Sequence, residues 1–327
     1  MIGTDVNSTR LCIAAVATVI ATASSFAVES ASGAALRQRP AWPTTAPEAT
    51  DILGADRAGR RLVAVGARGM VALSDDDGHT WRQAAAVPVR SALTAVHFVD
   101  ATHGWAVGHD GAIISSTDGG EHWTLQRFDA TVDQPLLSVR FLDSQHGVAV
   151  GLWSLVLITA DGGATWNVVK MPLPPERGRA DRNLLQVFSG ASRTLYVAAE
   201  KGTVLRSTDA GQTWTYHDTG YKGSLWTGTV TKDGVILVGG LRGNLLRSRD
   251  GGEHWDAVPS GTSSSLTELL SDGGSVIGVG LDGATITSDD DGATFKATQR
   301  SDRLSLTAVV RTSQGWQLFS EQGVVQP

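Results

Sequence analysis

The sequence has almost no cysteine. Its one cysteine, Cys12, lies inside an apolar run near the N-terminus, and residues 28–327 contain none. A chain without that run needs no disulfide bonds and offers no thiol for catalysis, so its stability must come from packing in the core.

An excess of positive charge is also missing. The chain has 27 lysines and arginines against 33 acidic residues, for a formal net charge of -6. Nucleic-acid-binding proteins usually carry a basic stripe, and this composition argues against that class. Beyond the N-terminal run, no segment is long and apolar enough to cross a bilayer as a helix.

The N-terminal run predicts export. Arg10 precedes an apolar stretch over residues 11–23, and small residues then lead to Ala27. This layout is typical of a secretory signal peptide cleaved after Ala27, because the stretch is too short to span a bilayer comfortably. An uncleaved N-terminal anchor is the alternative.

An eight-residue frame recurs six times, starting at Ser or Thr and ending on an aromatic residue. Each period contains four short apolar runs, with a Gly-containing hairpin between the second and the third, where Gly supplies positive φ. A period near 40 residues with strand-like runs is typical of propeller blades. The last residues of the six frames are 42, 43, 48, 41 and 40 residues apart: Trp81, Trp123, Trp166, Trp214, Trp255 and Phe295.

The frame itself predicts a turn between the third and fourth strands. Its Ser or Thr and its Asp bond the turn backbone, and its aromatic residue buries apolar surface between sheets. His122 and His254 stand where other copies have Thr, so we interpret them as turn residues. The central aspartates, to which we assign a structural role, are Asp76, Asp118, Asp161, Asp209, Asp250 and Asp290.

A seventh, incomplete unit follows the sixth frame. Three runs, at 304–310, 315–320 and 323–326, supply three strands, and Trp42 to Thr45 is predicted to supply the fourth. The predicted fold class is therefore all-β, a seven-bladed β-propeller of four-stranded antiparallel blades closed by the N-terminal strand. Six or eight blades are the alternatives. The predicted organisation is a signal peptide at 1–27, a linker at 28–40 and the propeller at 41–327.

The repeats resemble a known family of Asp-box (BNR-repeat) propellers. From about Trp42 to Gln326 the chain is similar to the photosystem II stability/assembly factors, most clearly in the phrase from Gly104 to Trp123. The resemblance implies an exported seven-bladed propeller of the thylakoid lumen that helps to assemble the photosystem II reaction centre. Relatives also occur in non-photosynthetic bacteria, where a periplasmic role beside another envelope complex is implied.

The propeller face that carries the second-to-third hairpins and the blade-to-blade crossovers is the predicted docking face. Its longest crossover, residues 171–183, is stiffened by proline and rich in arginine, a residue enriched at interfaces. A solvated loop, neutralised by Glu176 and Asp181, is the alternative. Trp153 either anchors a partner or packs under this crossover. The predicted partner-binding residues are Arg68, Arg90, Trp153, Arg177, Arg179, Arg182, Lys201 and Arg242, with Lys222 on the same face.

Catalysis is the competing class, because Asp-box propellers include sialidases and other glycoside hydrolases. Those enzymes need a Tyr nucleophile paired with Glu, or two carboxylates facing each other. None of Tyr196, Tyr216 and Tyr221 has an evident Glu partner. The hairpin acids that could face one another are Asp110, Glu200, Asp282 and Glu321.

Metal and cofactor sites are not predicted. The Ser-Asp-Asp-Asp-Gly segments at 74–78 and 288–292 lack the alternating ligands and distal Glu of a calcium loop. A chance zinc site near His103 and His146 is the alternative.

The sequence therefore predicts a monomeric, exported, non-catalytic scaffold that docks a membrane or envelope protein complex. That complex would resemble photosystem II if the organism is photosynthetic, and no nucleic acid partner and no membrane span after signal cleavage are expected. A sialidase-like glycoside hydrolase or a lectin is the alternative function.

Overall fold

The computed structural model describes residues 38–175 and 179–325. The predicted signal peptide lies outside the described residues, and the predicted linker is described only from Gln38. Within the described parts of the chain, no helix is both long enough and apolar enough to cross a membrane.

In the described residues, twenty-seven strands form seven antiparallel sheets, which confirms the seven-bladed propeller. Six blades have four strands each and the seventh has three. Blades 1 to 3 contain β1 (Ile52–Ala58), β2 (Arg61–Gly66), β3 (Val71–Ser74), β4 (Arg82–Gln83), β5 (Leu93–Phe98), β6 (Gly104–Gly108), β7 (Ile113–Ser116), β8 (Thr124–Arg127), β9 (Leu136–Phe141), β10 (Gly147–Gly151), β11 (Val156–Thr159) and β12 (Asn167–Val168). Blades 4 to 7 contain β13 (Leu184–Ser189), β14 (Leu195–Ala199), β15 (Thr203–Ser207), β16 (Thr215–Asp218), β17 (Leu225–Val230), β18 (Ile236–Gly240), β19 (Leu245–Ser248), β20 (Asp256–Ala257), β21 (Leu266–Asp272), β22 (Ser275–Gly280), β23 (Ala284–Ser288), β24 (Lys296–Gln299), β25 (Leu306–Arg311), β26 (Trp316–Ser320) and β27 (Gly323–Val325).

The six Asp boxes form the predicted turns. In the second box, Ser116 Oγ donates to Asp118 Oδ1 at 2.9 Å, and the Gly120 N–H donates to Ser116 Oγ at 2.9 Å. His122 donates its backbone N–H to Asp118 Oδ1, and its ring Nδ1 lies 2.7 Å from Oδ2. In the other copies Thr makes the contact to Oδ2, or His254 does in the fifth box. The two histidines are therefore turn residues, as predicted.

The aromatic residue that ends a box packs against the preceding blade. Trp123 of blade 2 is 5 % exposed and joins Val71 and Leu73 of blade 1 in one apolar cluster. Trp81 of blade 1 meets Phe319 of blade 7 edge to face, with ring centroids 5.7 Å apart. The boxes thus connect local turns to the contacts between blades.

The innermost strands are joined by a second set of contacts, which we call the inter-blade latches. At six of the seven junctions a side chain accepts a hydrogen bond from a backbone N–H of the next inner strand. These N–H groups would otherwise lack partners inside the fold, so each latch both satisfies a donor and holds two blades together. The acceptor and donor residues are Asp56 and Phe98, His97 and Phe141, Ser138 and Val187, Gln186 and Gly228, Thr227 and Leu269, and Glu268 and Val309.

The ring does not close by the predicted route. Trp42 to Thr45 forms no strand, and within the described residues β27 has no outer partner. The segment lies instead against blade 1, where Gln83 Oε1 accepts from Thr44 N at 2.7 Å and Gln83 Nε2 donates to Trp42 O at 2.9 Å. The prediction was wrong because the side chain of Gln83 binds the backbone of this segment and holds it on blade 1.

The seventh junction is closed by inner-strand side chains. Thr307 Oγ1 of blade 7 donates to Ile52 O of blade 1 at 2.6 Å, and Arg57 Nη1 donates to Arg311 O at 3.1 Å. A short 3-10 turn at Pro47–Ala49 also packs on β27. Ring closure therefore uses side chains that donate to backbone carbonyls, in place of the side-chain acceptors that latch the other six junctions.

Candidate docking face and central channel

The tips of the second-to-third hairpins form exposed points on the crossover face. Arg68, Lys201 and Arg242 are exposed, with φ of 59°, 58° and 58°. The next residue in each hairpin is Gly, also at positive φ, which confirms the predicted role of Gly in these turns. The three predicted cations therefore point from equivalent places on blades 1, 4 and 5.

Trp153 occupies the equivalent tip of blade 3. It has a φ of 55° and is 50 % exposed, and its backbone N–H donates to Asn183 Oδ1 at 3.3 Å. The hairpin is tied to the long crossover, but the indole remains half exposed. A bulky residue in the left-handed region costs about 1 kcal/mol.

The arginine-rich crossover differs from the prediction at one position. Arg182 is only 6 % exposed, its guanidinium lies 5.2 Å from the centre of the Tyr216 ring, and its carbonyl accepts from Ser154 N. Arg182 was predicted to contact a partner. In the structure its side chain is buried instead, and it supports the crossover from within. Arg179 is exposed, and Arg177 lies outside the described residues.

Two other predicted cations already have partners within the chain. Arg90 is partly buried, donates from Nε to Pro40 O at 2.9 Å and covers the Trp42 ring at 4.6 Å. It holds the N-terminal segment in place. Lys222 is exposed, and its Nζ lies 3.5 Å from Asp218 Oδ2.

The mouth of the central channel adds a feature that sequence reasoning missed. Each inner strand starts at the crossover face, and its second residue lines the channel there. In blades 3, 4 and 5 these residues are Leu137, Leu185 and Trp226, all partly exposed. In the other blades they are Leu53, Thr94, Thr267 and Thr307, and the three threonines donate to carbonyls of the next blade.

The two sets of residues divide the crossover face. On blades 3 to 5, apolar mouth residues lie inside tips that are aromatic or cationic. Blade 1 has the same combination in Leu53 and Arg68, but blade 2 separates it from this region. On blades 6 and 2 the tips are Asp282 and Asp110. We call the first region the basic apolar arc, and its members are Leu137, Trp153, Leu185, Lys201, Trp226 and Arg242.

Three of the four hairpin acids that could face one another, Asp110, Glu200 and Asp282, brace the crossovers. Ser91 Oγ donates to Asp110 Oδ2 at 2.6 Å, and Ser264 Oγ donates to Asp282 Oδ2 at 3.2 Å. Glu200 accepts from both the backbone and the side chain of Asn183 at 3.0 Å. Each carboxylate thus orients the loop that enters its own blade.

The three tyrosines are bound to the backbone of the fold. The hydroxyl of Tyr216 donates to Pro172 O, that of Tyr221 to Leu241 O and that of Tyr196 to Gly251 O. Tyr196 lies in a strand, as predicted.

The histidines of the Asp-box face pair with neighbouring aspartates. His103 Nδ1 is 2.9 Å from Asp100 Oδ2, and His146 Nδ1 is 3.0 Å from Asp143 Oδ2. Over residues 38–175 and 179–325, no three His, Cys, Asp or Glu side chains are grouped closely enough to hold a metal ion.

The channel interior contains buried ionisable groups. Burial raises the pKa of Glu268 to about 8 and also raises the pKa of Asp56, although two backbone N–H groups and nearby arginines oppose that rise. Burial and the neighbouring Arg140 hold the pKa of His97 well below its usual range. At neutral pH Glu268 is therefore mostly protonated and His97 is neutral.

The fold and its turns define the class: a seven-bladed Asp-box propeller with a charged central channel and an asymmetric crossover face. A family model described as "Photosynthesis system II assembly factor YCF48" matches residues 75–134 and 125–269, more than half of the chain. The chain belongs to this family, which confirms the resemblance seen in its repeats. A search of curated protein sequences finds no match.

Solved structures with the same fold include two described as YCF48. One, "YCF48 bound to D1 peptide", has a TM-score of 0.69 and 18 % identity, covering 88 % of this chain and 97 % of that one. YCF48 from Cyanidioschyzon merolae has a TM-score of 0.67 and 18 % identity, covering 85 % and 95 %. Virginiamycin B lyase from Staphylococcus aureus has a TM-score of 0.71 at 10 % identity, covering 88 % and 96 %. At these identities the likeness concerns the fold alone.

Proposed function

We propose that this protein is an exported, non-catalytic assembly factor that binds a segment of a membrane protein at its crossover face. The observation that carries the proposal is the basic apolar arc. Membership in the YCF48 family and the structure of a YCF48 bound to D1 peptide support it. In a photosynthetic organism the partner would belong to photosystem II, and elsewhere to another envelope complex.

The chemistry of the arc specifies the kind of segment. Trp153 and Trp226 offer large apolar surfaces with little conformational entropy to lose, and aromatic residues are enriched at interface hot spots. Lys201 and Arg242 flank these surfaces with exposed positive charge. A segment that combines apolar and acidic side chains is complementary to this arrangement.

Two charge reversals in the arc should weaken partner capture. We expect Lys201→Glu combined with Arg242→Glu to lower capture of integral membrane proteins from detergent-solubilised membranes by at least about tenfold. A loss of about 1.4 kcal/mol of binding free energy produces a change of that size. Quantitative mass spectrometry of the captured proteins measures the change.

Lys296→Glu, on an exposed outer strand of blade 6, is the matched control and should leave capture unchanged. Equal capture by the double variant and the wild-type protein would reject the arc as the docking site.

Export is tested separately. A C-terminally tagged full chain should appear in the periplasmic or lumenal fraction with residues 1–27 removed, as judged by N-terminal sequencing. Recovery of the full-length chain in the cytoplasmic fraction would contradict export.

A further inference from the structure

The central channel is large enough to hold a small molecule. Its cavity measures about 460 Å³ and is lined by the inner strands of all seven blades. Small-molecule sites in proteins usually measure about 300–1,000 Å³. The basic apolar arc lies at the mouth of this channel and shares Leu137, Leu185 and Trp226 with its lining, whereas the polar groups considered next lie on the inner strands below the mouth.

The inter-blade latches leave hydrogen-bond donors facing this cavity. His97 accepts from Phe141 N through Nδ1, so the neutral ring carries its proton on Nε2. Gln186 accepts from Gly228 N through Oε1, so its amide Nε2 has donors to spare. Both residues line the cavity. The acceptor atoms of these side chains are thus used within the fold, while their donors remain.

Arg140 adds a charge to this set. It lines the same cavity, and its Nε is buried with no hydrogen-bond partner among the described residues. Asp56 influences Arg140 electrostatically, but Oδ1 and Oδ2 of Asp56 already accept from backbone N–H groups of Arg57 and Phe98. The Nε–H of Arg140 therefore lacks an acceptor within the fold, which is costly unless a ligand or water supplies one.

The charge balance of the lining points the same way. Three guanidinium groups line the cavity, those of Arg57, Arg140 and Arg311. At most two ionised carboxylates, Asp56 and Asp272, oppose them, because the third acid of the lining, Glu268, is mostly protonated at neutral pH. The cavity is therefore short of negative charge.

We propose that the central channel binds a small oxyanion, held by the Arg140 guanidinium and by N–H groups of His97 and Gln186. The ligand is a free phosphate, sulfate or small carboxylate, whose oxygens accept from these N–H groups. Arg binds such groups through two parallel hydrogen bonds, which gives both affinity and orientation.

Calorimetric titration of the purified protein with inorganic phosphate, and separately with malonate, tests the site. We expect saturable binding of at least one anion to the wild-type protein, weakened at least about tenfold by Arg140→Gln. Arg140→Lys keeps the charge but loses the planar fork, so its affinity should lie between the two. The two titrations show whether the site prefers a phosphate or a carboxylate.

Arg249→Gln is the matched control, because Arg249 is exposed and pairs with Asp256 outside the channel. It should bind as the wild-type protein does. If neither anion binds the wild-type protein, or if Arg140→Gln and Arg140→Lys both bind as the wild type does, the proposal is wrong. Circular dichroism confirms that each variant is folded, and the Lys variant keeps the test decisive if the Gln variant does not fold.

Discussion

Trp123→Ala is expected to lower the free energy of unfolding by about 3–5 kcal/mol, the usual cost of truncating a fully packed Trp. The indole is 5 % exposed, meets Phe98 edge to face at 6.0 Å and donates from Nε1 to Gly120 O at 2.8 Å. Its loss opens a cavity between blades 1 and 2 and removes a bond that holds the box turn. Urea denaturation followed by tryptophan fluorescence measures the change.

The same substitution at Trp153 is the control for this prediction. Trp153 is half exposed and belongs to no apolar cluster of the described residues, so Trp153→Ala should change the stability by less than about 0.5 kcal/mol. A similar loss of stability in both variants would contradict the prediction that the buried Trp123 stabilises the contact between blades 1 and 2.

Glu268→Gln is expected to stabilise the protein at neutral and mildly alkaline pH. The pKa of Glu268 is about 8 in the folded chain, against 4.5 for an unburied Glu. Between pH 4.5 and 8 this carboxyl is therefore ionised in the unfolded chain but protonated in the folded one, so a rise in pH favours unfolding. The stabilisation by the protonated carboxyl is complete below about pH 4.5 and is lost as pH rises through 8. Gln keeps an acceptor for Val309 N without titrating, and should therefore add about 4 kcal/mol at pH 8.

Denaturation midpoints at pH 5, 6.5 and 8 measure this effect. The difference between Glu268→Gln and the wild-type protein should be small at pH 5 and grow with pH. Glu121→Gln should instead destabilise the protein. Arg82 holds the pKa of Glu121 below its usual range, so the ionised carboxylate stabilises the folded state. A constant difference across the pH range would contradict the assignment of a protonated Glu268.

The Asp boxes show why the blades could be predicted from sequence. Ser116, Asp118 and Gly120 meet within one turn, so their spacing alone specifies their contacts. The hairpin glycines are equally local. Six repetitions of such a turn at a period near 40 residues leave few architectures other than a propeller.

The inter-blade latches and the charged groups of the channel were missed because their contacts join residues that are far apart along the chain. His97 and Phe141 lie 44 residues apart, and Glu268 and Val309 lie 41 apart. A signal was present, since Gln186 and Glu268 are polar residues two positions after the buried Leu that starts an inner strand. Aligning the inner strands by that Leu would have found these two residues together with Ser138 and Thr227.

The sequence by itself determined the blade, its turns and the number of repeats, because these depend on contacts between residues that are close along the chain. Only the tertiary structure decided which side chains face the channel, that Arg182 is buried and that the ring closes through Thr307 rather than through Trp42 to Thr45. These outcomes depend on how neighbouring blades pack, which is set by contacts between residues that are far apart along the chain, such as Arg182 and Tyr216 or Thr307 and Ile52.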